Sequence, residues 1–247
     1  MLIKTRAVVV KSIKLGDNHR MITAISEDMG KISFKACGVN SMRNKNTASC
    51  NMFTFSEFIL RQKGELLTLD KGSVLLYPFK TSCDIPALSL AAYFSQLCAD
   101  TSFGNESSKE IGELLLNALF ILAKNNRPTD LVKAVFELRL LSLLGFSPFL
   151  GECSSCGKKS ADCDKMYFDP LGGDLLCSEC RVDGRIALSS ACVEMMRRAC
   201  TQKESTAYAV KMSDSLLAEF SFAAENFLLN QLEKRYDTLD YYKRIKS

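Results

Sequence analysis

The chain has no tryptophan and a single histidine, His19. One imidazole gives little scope for general-base chemistry, and no Ser/His/Asp or Cys/His constellation can be built on it. His19 falls in a polar turn, where solvation is enough to account for it. The phosphate-binding pattern Gly-x4-Gly-Lys-Ser/Thr is missing. Gly151 to Gly157-Lys158-Lys159 is one residue too long, and its cysteines suit a metal instead. There is no Gly-x-Gly-x-x-Gly for a dinucleotide. The acidic pairs sit in no recognisable metal or glycosidase context. The expectation is a protein with no catalytic residues that is not an enzyme.

Long apolar runs are missing too. None approaches eighteen residues, so no membrane span is expected. No apolar signal core follows Met1-Leu2-Ile3-Lys4-Thr5-Arg6. Eleven cysteines, an odd number without a secretory signal, fit a reducing cytoplasm rather than a disulfide framework. There is no internal repeat and no low-complexity tract. What remains is ordinary in bulk: 247 residues, 47% hydrophobic and 24% charged, enough for one large or two small domains.

The cysteines are not evenly spread. Cys153-Ser-Ser-Cys156 and Cys177-Ser-Glu-Cys180 form two Cys-x2-Cys pairs separated by twenty residues. Two such pairs, brought together by a hairpin, supply the four corners of a tetrahedron around one Zn²⁺. Gly157 permits the tight turn that aims backbone amides at the sulfurs, and Gly172-Gly173 is a reversal between two short strands. Four sulfurs leave no open position for water, so the metal would be structural. Cys163 lies inside the loop without a partner at that spacing and is not expected to ligate.

Charge divides the chain as well. The net +4 separates into 13 Lys+Arg against 6 Asp+Glu in residues 1–80, and 19 against 22 in residues 81–247. A basic first domain points to a polyanion, although a solvated lysine-rich surface would look the same. Residues 1–80 read as five short strands: Thr5–Ile13, Met21–Ile25, Lys31–Ala36, Met52–Gln62, and Leu66–Tyr77 broken near Lys71-Gly72. That suits a small closed barrel. From residue 81 the pattern turns helical. Helices are expected over Ile85–Ala99, Ile111–Lys124 behind a Ser107/Glu110 capping box, Leu131–Leu144 ending at Gly145, Ser190–Thr201, and from Asp214 to Leu232. The fold class is therefore α+β: an N-terminal barrel over 1–80, then a helical domain over 81–247 with a four-cysteine ribbon inserted at about 150–183.

These features together resemble the bacterial RecO family of recombination mediators. The resemblance covers nearly the whole chain. It is carried most specifically by Arg6-Ala7-Val8-Val9-Val10, the stretch Gly16-Asp17-Asn18 through Met29-Gly30-Lys31-Ile32, and Lys35-Ala36-Cys37-Gly38-Val39. Phe53 to Phe58 is similar to the family's aromatic strand. Leu143-Leu144-Gly145-Phe146-Ser147-Pro148, Tyr167-Phe168-Asp169-Pro170 and Gly172-Gly173 frame the cysteines as in the family. One departure is the loop after Gly38, where Val39-Asn40-Ser41-Met42 precede only Arg43 and Lys45.

The resemblance implies an OB-fold followed by a helical domain with a zinc ribbon. It implies binding of single- and double-stranded DNA, and annealing of complementary strands without ATP. It also implies cooperation with RecR to load RecA onto strands coated by single-stranded-DNA-binding protein, whose acidic C-terminal tail such proteins contact. A cytoplasmic, nucleoid-associated protein is implied as well. The candidates for phosphate contact are Lys11, Lys14, Arg20, Lys35, Arg43, Lys45, Arg61 and Lys63, each of which could equally be a solvated cation. Phe53, Phe55 and Phe58 are open between base stacking and core packing. The rivals are an OB and zinc-ribbon protein acting on RNA or in transcription, a zinc enzyme, and a purely protein-bridging adaptor.

Overall fold

The computed structural model describes residues 1–41, 43–79, 84–102, 108–202 and 204–246. In chain order the elements are β1 (Leu2–Leu15), β2 (His19–Ser26), β3 (Gly30–Ala36), β4 (Phe55–Lys63), β5 (Leu66–Leu76), α1 (Ile85–Thr101), α2 (Ser108–Lys124) and α3 (Thr129–Leu143). Then come β6 (Lys165–Asp169), β7 (Asp174–Cys177), β8 (Ile186–Ser189), α4 (Ser190–Thr201), α5 (Glu204–Ala207), α6 (Asp214–Gln231) and α7 (Asp237–Lys246). No described helix is long and apolar enough to cross a membrane.

The first five strands close into a barrel in the order β1-β2-β3-β5-β4. All pairings are antiparallel except β3 with β5, which is parallel. This is the OB arrangement. Alternation decides which side chains fill it. Ala7, Val9, Ile22, Ala24, Ile32, Phe34, Ala36, Phe58, Leu60 and Leu69 point inward and are buried. The Phe34 and Phe58 rings meet at 4.9 Å in the interior. A bulge between Val9 and Lys11 restores inward–outward matching along the long β1.

Strand β5 is continuous through the Lys71-Gly72 step, but its pairing with β4 slips at Asp70, between Leu69 and Lys71, next to the break read from the sequence. Gly72 is needed there for space: a Cβ would sit 2.1 Å from the Ser49 hydroxyl oxygen. Its N–H donates to Asn46 Oδ1 at 3.0 Å, so the loop before β4 satisfies the strand edge.

The chain divides into two compact units. The first comprises Met1–Asn126 and Asp237–Ser247, so α1, α2 and α7 belong with the barrel, although composition changes at residue 80. Helices α1 and α2 cover part of its outer wall, where Val8, Val10 and Ile25 are buried. Helix α2 turns Ile111, Leu114, Leu115, Ala118, Leu119 and Leu122 inward at three- and four-residue steps. The Ser107 cap expected for it lies outside the described residues. Helix α7 packs on α1, with Thr238 Oγ1 donating to Gln96 Oε1 at 2.7 Å.

The second unit is Arg127–Tyr236. Helix α3 is its buried centre, as its apolar faces led us to expect, and it ends at Gly145, whose φ of 88° makes a left-handed cap. It packs on α6 and α4. One polar cluster interrupts the α3–α6 packing. The buried Lys133 ammonium lies 3.1 Å from Glu137 and 2.9 Å from Glu225. Burial alone would lower the lysine's affinity for its proton, but the two carboxylates outweigh it and hold its pKa above the ordinary value.

Removing one partner of such a cluster leaves buried charge uncompensated. Lys133→Ala is therefore expected to destabilise this unit by about 3–5 kcal/mol in urea unfolding at neutral pH. Because the folded pKa is raised, the lysine's contribution is complete below the unfolded lysine pKa. It fades as pH climbs through the folded one. The gap between the variant and the parent should therefore narrow in strongly alkaline buffer.

Candidate nucleic-acid face and metal centre

The outer wall of the barrel is built by register. Ile13 is paired with Met21, Met21 with Lys35, Lys35 with Thr68, and Thr68 with Arg61. This row of neighbours crosses all five strands on the side opposite the core. Beside it lies a second row, in which Lys11 pairs with Thr23 and Thr23 with Ser33. The Thr23 and Ser33 hydroxyls are 3.3 Å apart. Lys63 extends β4 beyond Arg61, opposite Leu66.

The eight candidate cations thus fall into three groups. Lys11, Lys35, Arg61 and Lys63 share the outer wall. Lys14 and Arg20 face each other across β1 and β2 at the barrel's mouth. Arg43 and Lys45 are exposed in the connection between β3 and β4. Two of the eight are already engaged. Arg20 Nε donates to Asn40 Oδ1 at 2.6 Å and its Nη1 to Asn51 Oδ1 at 3.3 Å, so it braces the β3–β4 connection. Arg61 is paired with Asp70 at 2.8 Å. Other cations of this unit have structural work. Lys31 Nζ donates to the Ala99 carbonyl at the C-terminal end of α1. Lys4 is 3.0 Å from Glu57.

His19 is not simply solvated. Its Nδ1 accepts the Gly38 N–H at 3.2 Å, which pins the connection to the first residue of β2. Gly38 has a φ of 73°, and a Cβ there would stand 3.1 Å from Asn44 Nδ2. Of the three aromatics left open, Phe58 is core. Phe53 precedes β4 and meets Phe79 edge-on at 5.5 Å. Phe55 is half-buried at the start of β4.

The second unit carries the cysteines. Strands β7, β6 and β8 form a three-stranded sheet in that order. The β6–β7 reversal turns at Gly173, whose φ is 70°, with Phe227 tight against it. Gly157, at φ 75°, closes the first knuckle by donating to the Cys153 carbonyl at 2.9 Å. The Ser154 N–H then donates to the Leu175 carbonyl at 2.8 Å, which ties the first pair to β7. Asp174 is bound by the Ser154 hydroxyl and by Arg185, the latter at 2.6 Å. Burial opposes its ionisation, but these two partners prevail and lower its pKa.

The Sγ atoms of Cys153, Cys156, Cys177 and Cys180 all lie within 4.8 Å of one another. Cys156 and Cys177 are 3.7 Å apart, too far for a disulfide. That distance is close to the edge of a tetrahedron with metal–sulfur bonds of about 2.3 Å, which is about 3.8 Å. Burial pushes the Cys153 thiol up, but the N–H groups of Cys177, Cys156 and Ser155 outweigh it and hold it down at about 6. For Cys156 the Lys158 N–H acts downward, yet the neighbouring thiols of Cys153, Cys177 and Cys180 push it up to about 12. Four crowded sulfurs cannot all ionise unaided, whereas a divalent cation among them reverses that balance. The cluster could hold a metal ion, and its all-sulfur donor set suits zinc or iron. Cys163 is buried nearby but stands apart, with its Sγ 3.6 Å from the Lys159 carbonyl.

With a closed OB-type barrel and a four-cysteine ribbon in place, comparison with known proteins is decisive. A model of the N-terminal part of recombination protein O matches residues 1–77, and one of its C-terminal part matches residues 83–240. The chain belongs to the RecO family. It is 29% identical to the DNA repair protein RecO of Acetivibrio thermocellus over 245 residues, 98% of this chain and 97% of that one. The DNA repair protein RecO of Dehalococcoides mccartyi is 28% identical over 235 residues, 94% and 91% of the two chains. That of Caldicellulosiruptor bescii is 22% identical over 245 residues, 99% of each. The RecO family match thus spans both the barrel and the ribbon.

If the cysteines ligate a metal, Cys177→Ser should reduce bound metal from about one equivalent to near none, as read by elemental analysis. Amide exchange at Ser154 and Gly157 should then accelerate at least about tenfold, since the knuckle has little core of its own. The barrel amides should keep their protection.

Proposed function

We propose that this RecO family member is a recombination mediator that binds single- and double-stranded DNA and anneals complementary strands without ATP. With RecR it helps load RecA onto strands coated by single-stranded-DNA-binding protein. The observation that carries this reading is the outer wall of the barrel, where Lys11 on β1, Lys35 on β3, and Arg61 and Lys63 on β4 share one face. An OB barrel presents this kind of surface to a strand. Lys14, Arg20, Arg43 and Lys45 would add contacts at the mouth and in the adjoining loop. Annealing then needs no active-site residue. Neutralising phosphates on two strands weakens their repulsion and raises their local concentration, and base pairing drives the rest.

In this reading Cys153, Cys156, Cys177 and Cys180 hold one Zn²⁺ that fixes the ribbon. Lys158, Lys159 and Lys165 on the ribbon offer a second surface for DNA or RecR. In this reading the acidic C-terminal tail of single-stranded-DNA-binding protein sits between α1 and α7. Ile85, Leu88, Ala92 and Tyr241 line a cavity of about 500 Å³ there, with Arg244 at one end. Asp237 lines it two helical turns away, about 10 Å along α7. The tail's carboxylates would go to the arginine end. Action at the nucleoid of the cytoplasm follows from the same reading.

The test is annealing of complementary oligonucleotides by the zinc-loaded protein, without ATP, over a salt series. Annealing should fade with salt, and the logarithm of strand affinity should fall with a slope of roughly −0.7 per phosphate neutralised. Asp70→Asn, which releases Arg61, should tighten strand binding a few-fold. No strand binding at low salt would overturn the reading. Preference for RNA over matching DNA would favour the RNA or transcription alternative.

A further inference from the structure

We propose that the barrel holds a single strand by its phosphates, with the bases turned away from the protein and open to pairing. This rests on the single-strand reading above and specifies how that site works. It follows from the residue types on the outer wall. The two rows consist of Ile13, Met21, Lys35, Thr68 and Arg61, and of Lys11, Thr23 and Ser33. Among the described residues these rows carry no phenylalanine or tyrosine. Neither do the turns Gly16-Asp17-Asn18 and Gly64-Glu65 that adjoin them.

Every aromatic ring of residues 1–76 other than the His19 imidazole is accounted for elsewhere. Phe34 and Phe58 are sealed in the barrel interior. Phe53 packs on Phe79. Phe55 sits at the far end of β4 from Lys63, between Val8 and Leu76. The imidazole is tied to the Gly38 N–H.

Proteins that grip single strands usually stack bases on aromatic side chains, each base strengthening binding roughly 5- to 150-fold. On these two rows the cations stand without a ring among them, and the half-buried Phe53, Phe55 and Tyr77 lie off them. A base stacked on a ring must leave it before it can pair, and that step slows annealing by a comparable factor. A strand held through phosphates has no such step. Its affinity arises from counterion release and is blind to sequence.

The experiment uses the full zinc-loaded chain and an oligothymidine strand, with complete binding verified by gel shift. Permanganate attacks the exposed face of thymine. The bound strand should be oxidised at a rate within about twofold of the free strand. Fivefold or greater protection would show shielded bases and overturn the inference while leaving strand binding intact. Failure of the gel shift at low salt would remove the reading on which it rests. A second measurement is Met21→Trp, which places an indole in the row. It should bind oligothymidine roughly 5- to 150-fold more tightly and anneal more slowly. Tighter binding with undiminished annealing would also overturn the proposal.

Discussion

Barrel closure depends on one short pairing. Strands β3 and β5 run parallel and meet at two positions, Phe34 with Leu67 and Lys35 with Thr68. On the inner side this seats Phe34 against Phe58. On the outer side the same two residues of backbone bring Lys35 beside Thr68 and, across β5, beside Arg61. The hydrophobic interior and the cationic wall are two faces of one register. A slip of one residue would exchange them, burying Lys35 and exposing Phe34. The cost of burying that charge is what fixes the register, so the core specifies the functional face without touching it.

The loop between β3 and β4 shows how polar residues complete this arrangement. It puts Val39 and Cys50 into the barrel core, and polar groups tie it down at several further points. Asn46 satisfies the β5 edge at Gly72, His19 receives the Gly38 N–H, and Arg20 reaches Asn40 and Asn51. Arg20 is therefore a brace as much as a free cation. In the second unit the four sulfurs stand close to a metal-sized tetrahedron. The ribbon's sheet also buries Met166, Phe168, Leu175 and Leu188, and polar contacts among Ser154, Asp174 and Arg185 add to that. Both regions add specific polar or metal-type bonds to a few buried apolar side chains.

Much of this was legible in the sequence. Strict alternation in Lys31-Ile-Ser-Phe-Lys-Ala gave β3 its two faces, and the paired Cys-x2-Cys spacing gave the sulfur cluster. What could not be read was long-range. Nothing local says that Arg61 will face Asp70, that Lys133 will be buried between Glu137 and Glu225, or that Gly72 makes room for Ser49. These depend on register and on helix packing between residues far apart in the chain. Helix α7 was missed because it is polar and short. Its signals were electrostatic: Asp237 and Asp240 in the first turn, and Lys243, Arg244 and Lys246 in the last, which match the helix dipole.

The central claim is that the outer wall of the barrel is where strands bind. The most direct measurement is oligothymidine affinity over a salt series for a variant carrying Lys11→Glu, Lys35→Glu and Lys63→Glu, with its bound metal unchanged. The account predicts much weaker binding and a salt slope smaller in magnitude by about two, reflecting three lost phosphate contacts. Unchanged affinity with an unchanged slope would contradict it, and would place the DNA on another surface or leave the protein as a bridge between other proteins.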